Sequence, residues 1–270
     1  MIPESEVPPY AELLRLETRR WRTQLLGSTL VVLVVGSCAA GAGLLDVRRL
    51  WEGLPSIAKL AGEMLPPDFR NAADWVKPLF QTLVMSVAGT ALALGLSLPL
   101  GCLAARNVAP NRAVYGCARG LLNALRGIPE LILGIFFVAA VGFGVLPGVL
   151  ALGLHSAGMV GKFFAEAMEH VDPGPVEAVR STGATPLQVV FHGILPQILP
   201  QMADVSIYRW ELNFRASTVI GLVGAGGIGF ELIASLRIMQ YREVGAILMV
   251  VLVMVCLIDA TSAVLRRRFQ

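Results

Sequence analysis

The sequence predicts an all-α, polytopic membrane protein with about six transmembrane helices. Three observations predict it. Of 270 residues, 55% are hydrophobic and 15% charged, against about a quarter charged in an ordinary soluble domain. The apolar residues come in runs of roughly 20, enough at 1.5 Å per residue to cross a hydrocarbon layer of ~30 Å. Arginines gather in short flanks beside those runs, as the positive-inside rule expects of cytoplasmic segments.

Residues 1–23 are a charged leader, and residues 24–45 carry no charge and form the first span. That run is too long for a signal-peptide core and lacks a cleavage site, so it is read as retained. Residues 46–78 are an external segment. Within it Leu50, Leu54, Ile57 and Ala61 recur at helical spacing beside Trp51, which predicts an interfacial helix ended by Pro66 and Pro67. The permease-like core follows over residues 79–265, with a tail at 266–270. Its second span, Leu79–Ala104, carries Gly89, Ala93 and Gly95, which suit close helix packing. The third runs over Gly127–Leu146, interrupted by Glu130. The fourth, Pro147–Ala167, is shorter, the fifth, Ile198–Leu222, is unusually polar, and the sixth is Val244–Leu265. Arg15, Arg19, Arg20 and Arg22 precede the first span. Arg106, Arg112, Arg119 and Arg126 lie between the second and third, and Arg266, Arg267 and Arg268 follow the sixth. These clusters share one side only if the spans are even in number and both termini are cytoplasmic. Arg126 and Glu130, at i,i+4, read as a structural pair.

The net charge of +3 says little by its sign, and nothing points to nucleic acid. Cys38, Cys102, Cys117 and Cys256 lack metal or disulfide-framework spacing, and His155, His170 and His192 read as isolated polar side chains. No constellation of nucleophile, base or metal ligands predicts an enzyme.

Gly224, Gly226 and Gly229 match a dinucleotide fingerprint, with Glu243 roughly 20 residues on. The context excludes that reading, because a membrane span precedes them and no βαβ unit surrounds them. Gly224, Gly226, Gly227 and Gly229 instead predict a bend or re-entrant turn near an outer gate, serving either packing or the transport path. The "GMVGKF" run around Lys162 has the wrong spacing for a phosphate loop.

In the fifth span Asp204, Tyr208, Glu211, Arg215 and Thr218 fall on one stripe, with Arg209 and Asn213 on another face. Charges at this depth face protein or water. They are candidates for a translocation path, in which Arg215 or Arg209 offers a fork to an anion, or for an ion-pair network joining helices.

Between the fourth and fifth spans, residues 168–197 are too polar and too long for a simple connection. Pro175 is expected to open a short helix closed by Gly183, and Pro186 to open a second, closed before Pro196. The run "EAVRSTGATPLQVVFHGILP" resembles the cytoplasmic EAA loop of ABC importer permeases. It matches at Glu177, Ala178, Gly183, Leu195 and Pro196, with Ala184 and Pro186 inside the turn. It departs at Val179 and Gly193. The run "YRWELNFRASTVIGLVGAGGIGFEL" is similar to phosphonate-type permeases, the PhnE family.

That resemblance implies a type I, MetI-like importer permease in the cytoplasmic (inner) membrane, moving phosphonates by alternating access. Phosphite, phosphate or another oxyanion is the alternative, and an ATP-independent channel is the remoter one. It implies a homodimer, cytoplasmic ABC ATPase subunits gripping residues 168–197, an external phosphonate-binding protein and surrounding lipid. ATP and Mg would sit on the partner ATPase, leaving no cofactor on this chain.

Overall fold

A computed structural model describes residues 10–268, with the side chains of residues 10–19 and of Leu50 outside the description. The leader arginines Arg15 and Arg19 therefore lie outside the described side chains. The chain divides into two units, Met1–Gly62 and Glu63–Gln270. All regular structure among the described residues is helical.

The first unit holds α1 (Tyr10–Gly41) and most of α2 (Val47–Glu63). From residue 20 onward α1 exposes Leu26, Leu30, Val32 and Leu33 to the surroundings. An uncovered apolar cylinder of this length requires lipid around it. In α2 the exposed Trp51, Leu54 and Ile57 stand beside an Arg48–Glu52 ion pair of 2.8 Å. That is the amphipathic helix expected from the sequence.

The second unit is built on α3 (Val76–Ala104), α6 (Val145–Glu169) and α9 (Leu195–Ile220). The fourth span, weakest in the sequence, is the most enclosed of the long apolar helices. Its inward surface is made of small residues, which score low in hydropathy but let neighbours approach closely. A side chain on Gly158 would strike the backbone of the neighbouring helix at Leu122 and Arg126, and one on α3 Gly89 would strike Leu152. Phe164, Met168, Ile194 and Ile198 close the core at one end, and Met85, Leu152 and Ile220 close it at the other.

Among the described residues four helices are long and apolar enough to cross a membrane alone, and six spans result if two bent pairs each count as one. The predicted third span, Gly127–Leu146, holds α5 (Glu130–Val141) and the start of α6, and the bent pair adds α4 (Arg112–Gly127) before it, at 87° to α5. Pro129 cannot donate to a preceding carbonyl and holds Ile128 extended, which breaks the run. Arg112, Arg119 and Arg126 thus lie on a helix rather than in a loop. The second pair joins the α9 segment to α10 (Ile228–Arg237), bent by 56°. The last helix is α11 (Tyr241–Arg266).

Candidate functional site

Three polar zones lie along the second unit. The first follows α6. Asp172 caps the helix α7 (Pro173–Ser181), its carboxylate accepting from the Gly174 amide at 2.9 Å. The helix therefore starts two residues before Pro175, because Asp172 supplies the cap and Pro173 suits the first helical position. Gly183 turns the chain with φ +78°, a conformation that penalises any Cβ. Thr185 and Gln188 then form a reciprocal capping box that opens α8 (Pro186–Val189).

The expectation that α8 closes before Pro196 is not met. Pro196 has no amide to give, but the chain widens instead of stopping. Over Val190–Ile194 it forms a π turn, in which the Leu195 amide donates to the Val190 carbonyl, and it runs on into α9. Gly193 fits this geometry, because a Cβ there would press on the Val176 backbone of α7 at 3.2 Å.

Buried Val176, Val189 and Ile194 root the protrusion in the core. Gln197 ties it down, accepting from the Asp172 amide at 3.0 Å and donating to the Gly193 carbonyl at 2.6 Å. Glu177, Ala178, Gly183 and Pro186 are exposed, Ala184 and Leu195 are half-buried, and Pro196 is exposed. Val179, Thr182, Gly183 and Gln188 line a hollow of about 560 Å³ on this surface.

Near this end a second cluster went unnoticed in the sequence. Arg119 of α4 donates to both oxygens of Glu169 on α6 at 3.0 Å and lies over the Tyr115 ring at 5.3 Å. Arg106 donates to the Tyr115 hydroxyl at 3.0 Å, which holds its guanidinium above its ordinary value. The signal was there in the basic cluster, but only the fold of α4 brings it to Glu169.

The second zone is the polar part of α9, which the structure divides by face. On one face Glu211 accepts from Arg215 at 2.8 Å and from Arg266 of α11 at 3.2 Å, while Arg215 also meets Asp259 at 2.8 Å. Glu211 and Arg215, one helical turn apart on the predicted stripe, thus pair with each other and with a second helix. Thr218 bonds back to the Arg215 carbonyl at 2.7 Å, Tyr208 is exposed, and Asp204 is half-buried.

On the other face Arg209 and Asn213 are buried. Arg209 Nε donates to Ser156 Oγ at 2.8 Å, Ser156 donates to Asn213 Oδ1 at 2.9 Å, and Asn213 Nδ2 donates to Thr90 Oγ1 at 2.9 Å. This relay joins α9 to α6 and α3. Ser156 and Thr90 were missed, because a lone hydroxyl in an apolar helix carries no signal until its partner is known.

The expected Arg126–Glu130 pair does not form. The Pro129 break separates the two residues, Arg126 is exposed, and Glu130 faces His155 Nε2 at 3.4 Å. His155 is therefore not isolated, and its Nδ1 also meets the Ile128 carbonyl at 2.9 Å.

The third zone is the glycine turn. After α9 the chain widens over Gly221–Ala225, with Gly224, Gly226 and Gly227 at φ +103°, +77° and +74°. The amides of Gly227 and Ile228 donate to Gln81 and Thr82 of α3 at 3.2 and 2.9 Å. A Cβ on Gly229 would collide with the Thr218 carbonyl. These glycines make the sharp turn expected, and their close approach is what packs it.

Residues 97–270 match the family of binding-protein-dependent transport system inner membrane components. The chain is 64% identical over 250 residues to the phosphite transport system permease protein PtxC of Stutzerimonas stutzeri, covering 93% of this chain and 91% of that one. It is 41% identical to the phosphate-import permease protein PhnE of Mycolicibacterium smegmatis, covering 87% of this chain and 45% of the longer relative. A solved inward-facing structure of the MetNI methionine ABC transporter aligns with TM-score 0.64 at 23% identity, over 73% of this chain and 96% of that one. That likeness concerns the fold alone. The chain belongs to the binding-protein-dependent inner membrane components, as an ABC importer permease of MetI-like fold.

Proposed function

We propose that this chain is the membrane subunit of an ATP-driven importer of small phosphorus oxyanions. Phosphite comes first, and phosphonate, the class the sequence resemblance implies, stays within the set beside phosphate. The observation that carries this reading is the 64% identity, over nearly the full length of both chains, to a phosphite permease. Both termini lie in the cytoplasm. Two copies enclose one path, and an external binding protein supplies most of the choice among solutes.

The α7–α8 protrusion is the handle gripped by the ATPase, which carries the ATP and Mg. Its construction supports that role, since buried apolar roots and the Gln197 tie transmit force while Glu177, Ala178 and Gly183 stay exposed. A rigid handle moves the α9 helix with which it is continuous. The polar α9 segment from Asp204 to Thr218 contributes to the path, and the glycine turn closes its outer end.

The test is uptake into proteoliposomes holding the permease, its ATPase and its binding protein. Labelled phosphite should enter only with ATP, and competition by phosphate and 2-aminoethylphosphonate ranks the three solutes. Failure to take up any of them would overturn the assignment of solute, and uptake without the ATPase would overturn the mechanism.

A further inference from the structure

The two arginines of α9 have different surroundings. Arg215 is bound by two carboxylates, Glu211 and Asp259, and its side chain is 44% exposed. Its charge is spent within the protein, where it joins α9 to α11.

Arg209 is only 6% exposed and pairs with no carboxylate within 4.0 Å among the described residues. Its contacts are neutral, namely Ser156 Oγ at 2.8 Å through Nε and the Met159 sulfur at 3.0 Å through Nη1. Nη2 has no acceptor among the described residues and keeps slight exposure. Glu130 is the carboxylate whose field reaches it, from beyond ion-pair distance, and a guanidinium at membrane depth with no directly paired carboxylate is costly. It is also the group best suited to a bidentate phosphorus oxyanion. The Ser156–Asn213–Thr90 relay holds its stem in place, so the fork is fixed before any anion arrives.

We propose that Arg209 is the residue that meets the oxyanion in transit, and that Arg215 is a strut. This inference rests on the oxyanion-importer reading, and it assigns selectivity for negative charge to the membrane subunit as well as to the binding protein. Arg209 acts as a stepping contact, held by neutral neighbours so that its charge remains available to the solute.

The test supplies a directly paired counter-charge. Met159→Glu puts a carboxylate beside Nη1, and Met159→Gln is its uncharged control of the same shape. Labelled phosphite uptake is measured in proteoliposomes of the complete transporter. Met159→Gln should keep at least half the unmodified rate. Met159→Glu should lose at least tenfold while still assembling and hydrolysing ATP, because the acid occupies Arg209. Arg209→Gln should lose uptake to the same degree, with partial rescue in Arg209→Lys. Equal uptake by the two Met159 variants would overturn the proposal. So would failure of Met159→Glu alone to assemble, since an acid beside an unpaired guanidinium should stabilise the fold. If the unmodified transporter moves no phosphorus oxyanion, the solute assignment fails instead, and the two failures are separable.

Discussion

The two broken spans achieve a bend in opposite ways. Between α4 and α5 the chain turns by 87° at Ile128–Pro129, and between α9 and α10 by 56° at the glycines. The first break is made by subtraction. Proline removes the amide that would meet the Leu125 carbonyl, the ladder restarts with Ile132 and Leu133 on the Pro129 carbonyl, and His155 reaches across from α6 to the Ile128 oxygen left between them. The second is made by compression. Backbone lies against backbone around Gly229 and Gly221, and α3 side chains take the freed amides of Gly227 and Ile228. A break satisfied by one side chain should tolerate replacement, whereas one built on contact between backbones should not.

The largest effect is expected at Gly229→Ala. Its new methyl meets the Thr218 carbonyl, which belongs to backbone and cannot swing away. Overpacking costs about 1–3 kcal/mol where neighbours can shift, and more is expected here. Folded protein recovered from detergent, followed by size-exclusion chromatography, should fall sharply. Full recovery would show that compression does not hold this turn.

Thr82→Val comes next. Thr82 is fully buried and accepts from the Ile228 amide, so the isosteric change orphans a buried donor. The expected loss is about 1–3 kcal/mol, read as a lower Tm. His155→Leu at the proline break should cost less, roughly 1 kcal/mol, because Ile128 is exposed and its carbonyl can find water. Equal losses in these two variants would erase the distinction between the breaks.

Asp68→Asn sets the floor. Hydrogen bonds from the Arg70 side chain, then its amide, hold the Asp68 carboxyl below its ordinary value of 3.8. A depressed carboxylate contributes stability above its unfolded pKa and loses it as pH falls through the folded value. The pair lies at the surface, with Arg70 exposed and Asp68 half-buried, so the Tm difference from Asp68→Asn should be small at neutral pH and vanish in acid.

The contrast also explains what could be read beforehand. Clustered glycines announce a turn wherever they fall, so the second break was legible. The first was not, because Arg112, Arg119 and Arg126 set residues 112–126 apart from the apolar runs, so the span was begun at Gly127 and Pro129 fell at its start rather than inside it. The Arg209 and Asn213 face was legible from i,i+4 spacing, whereas its partners Ser156 and Thr90 required the packing of three helices. The α6 helix was underread because glycine and alanine score poorly in hydropathy while packing closely. Pro196 misled in the other direction, since a π turn carries the chain through it.

In the proposed function the α7–α8 protrusion is the contact through which the ATPase drives this permease. The most direct measurement is crosslinking from a single cysteine at Glu177, in a chain whose four cysteines are replaced by serine. The same experiment at Met239, in the turn between α10 and α11, serves as the reference. A crosslink to the ATPase subunit is expected from position 177 and none from position 239. A crosslink from 239 with none from 177 would contradict it.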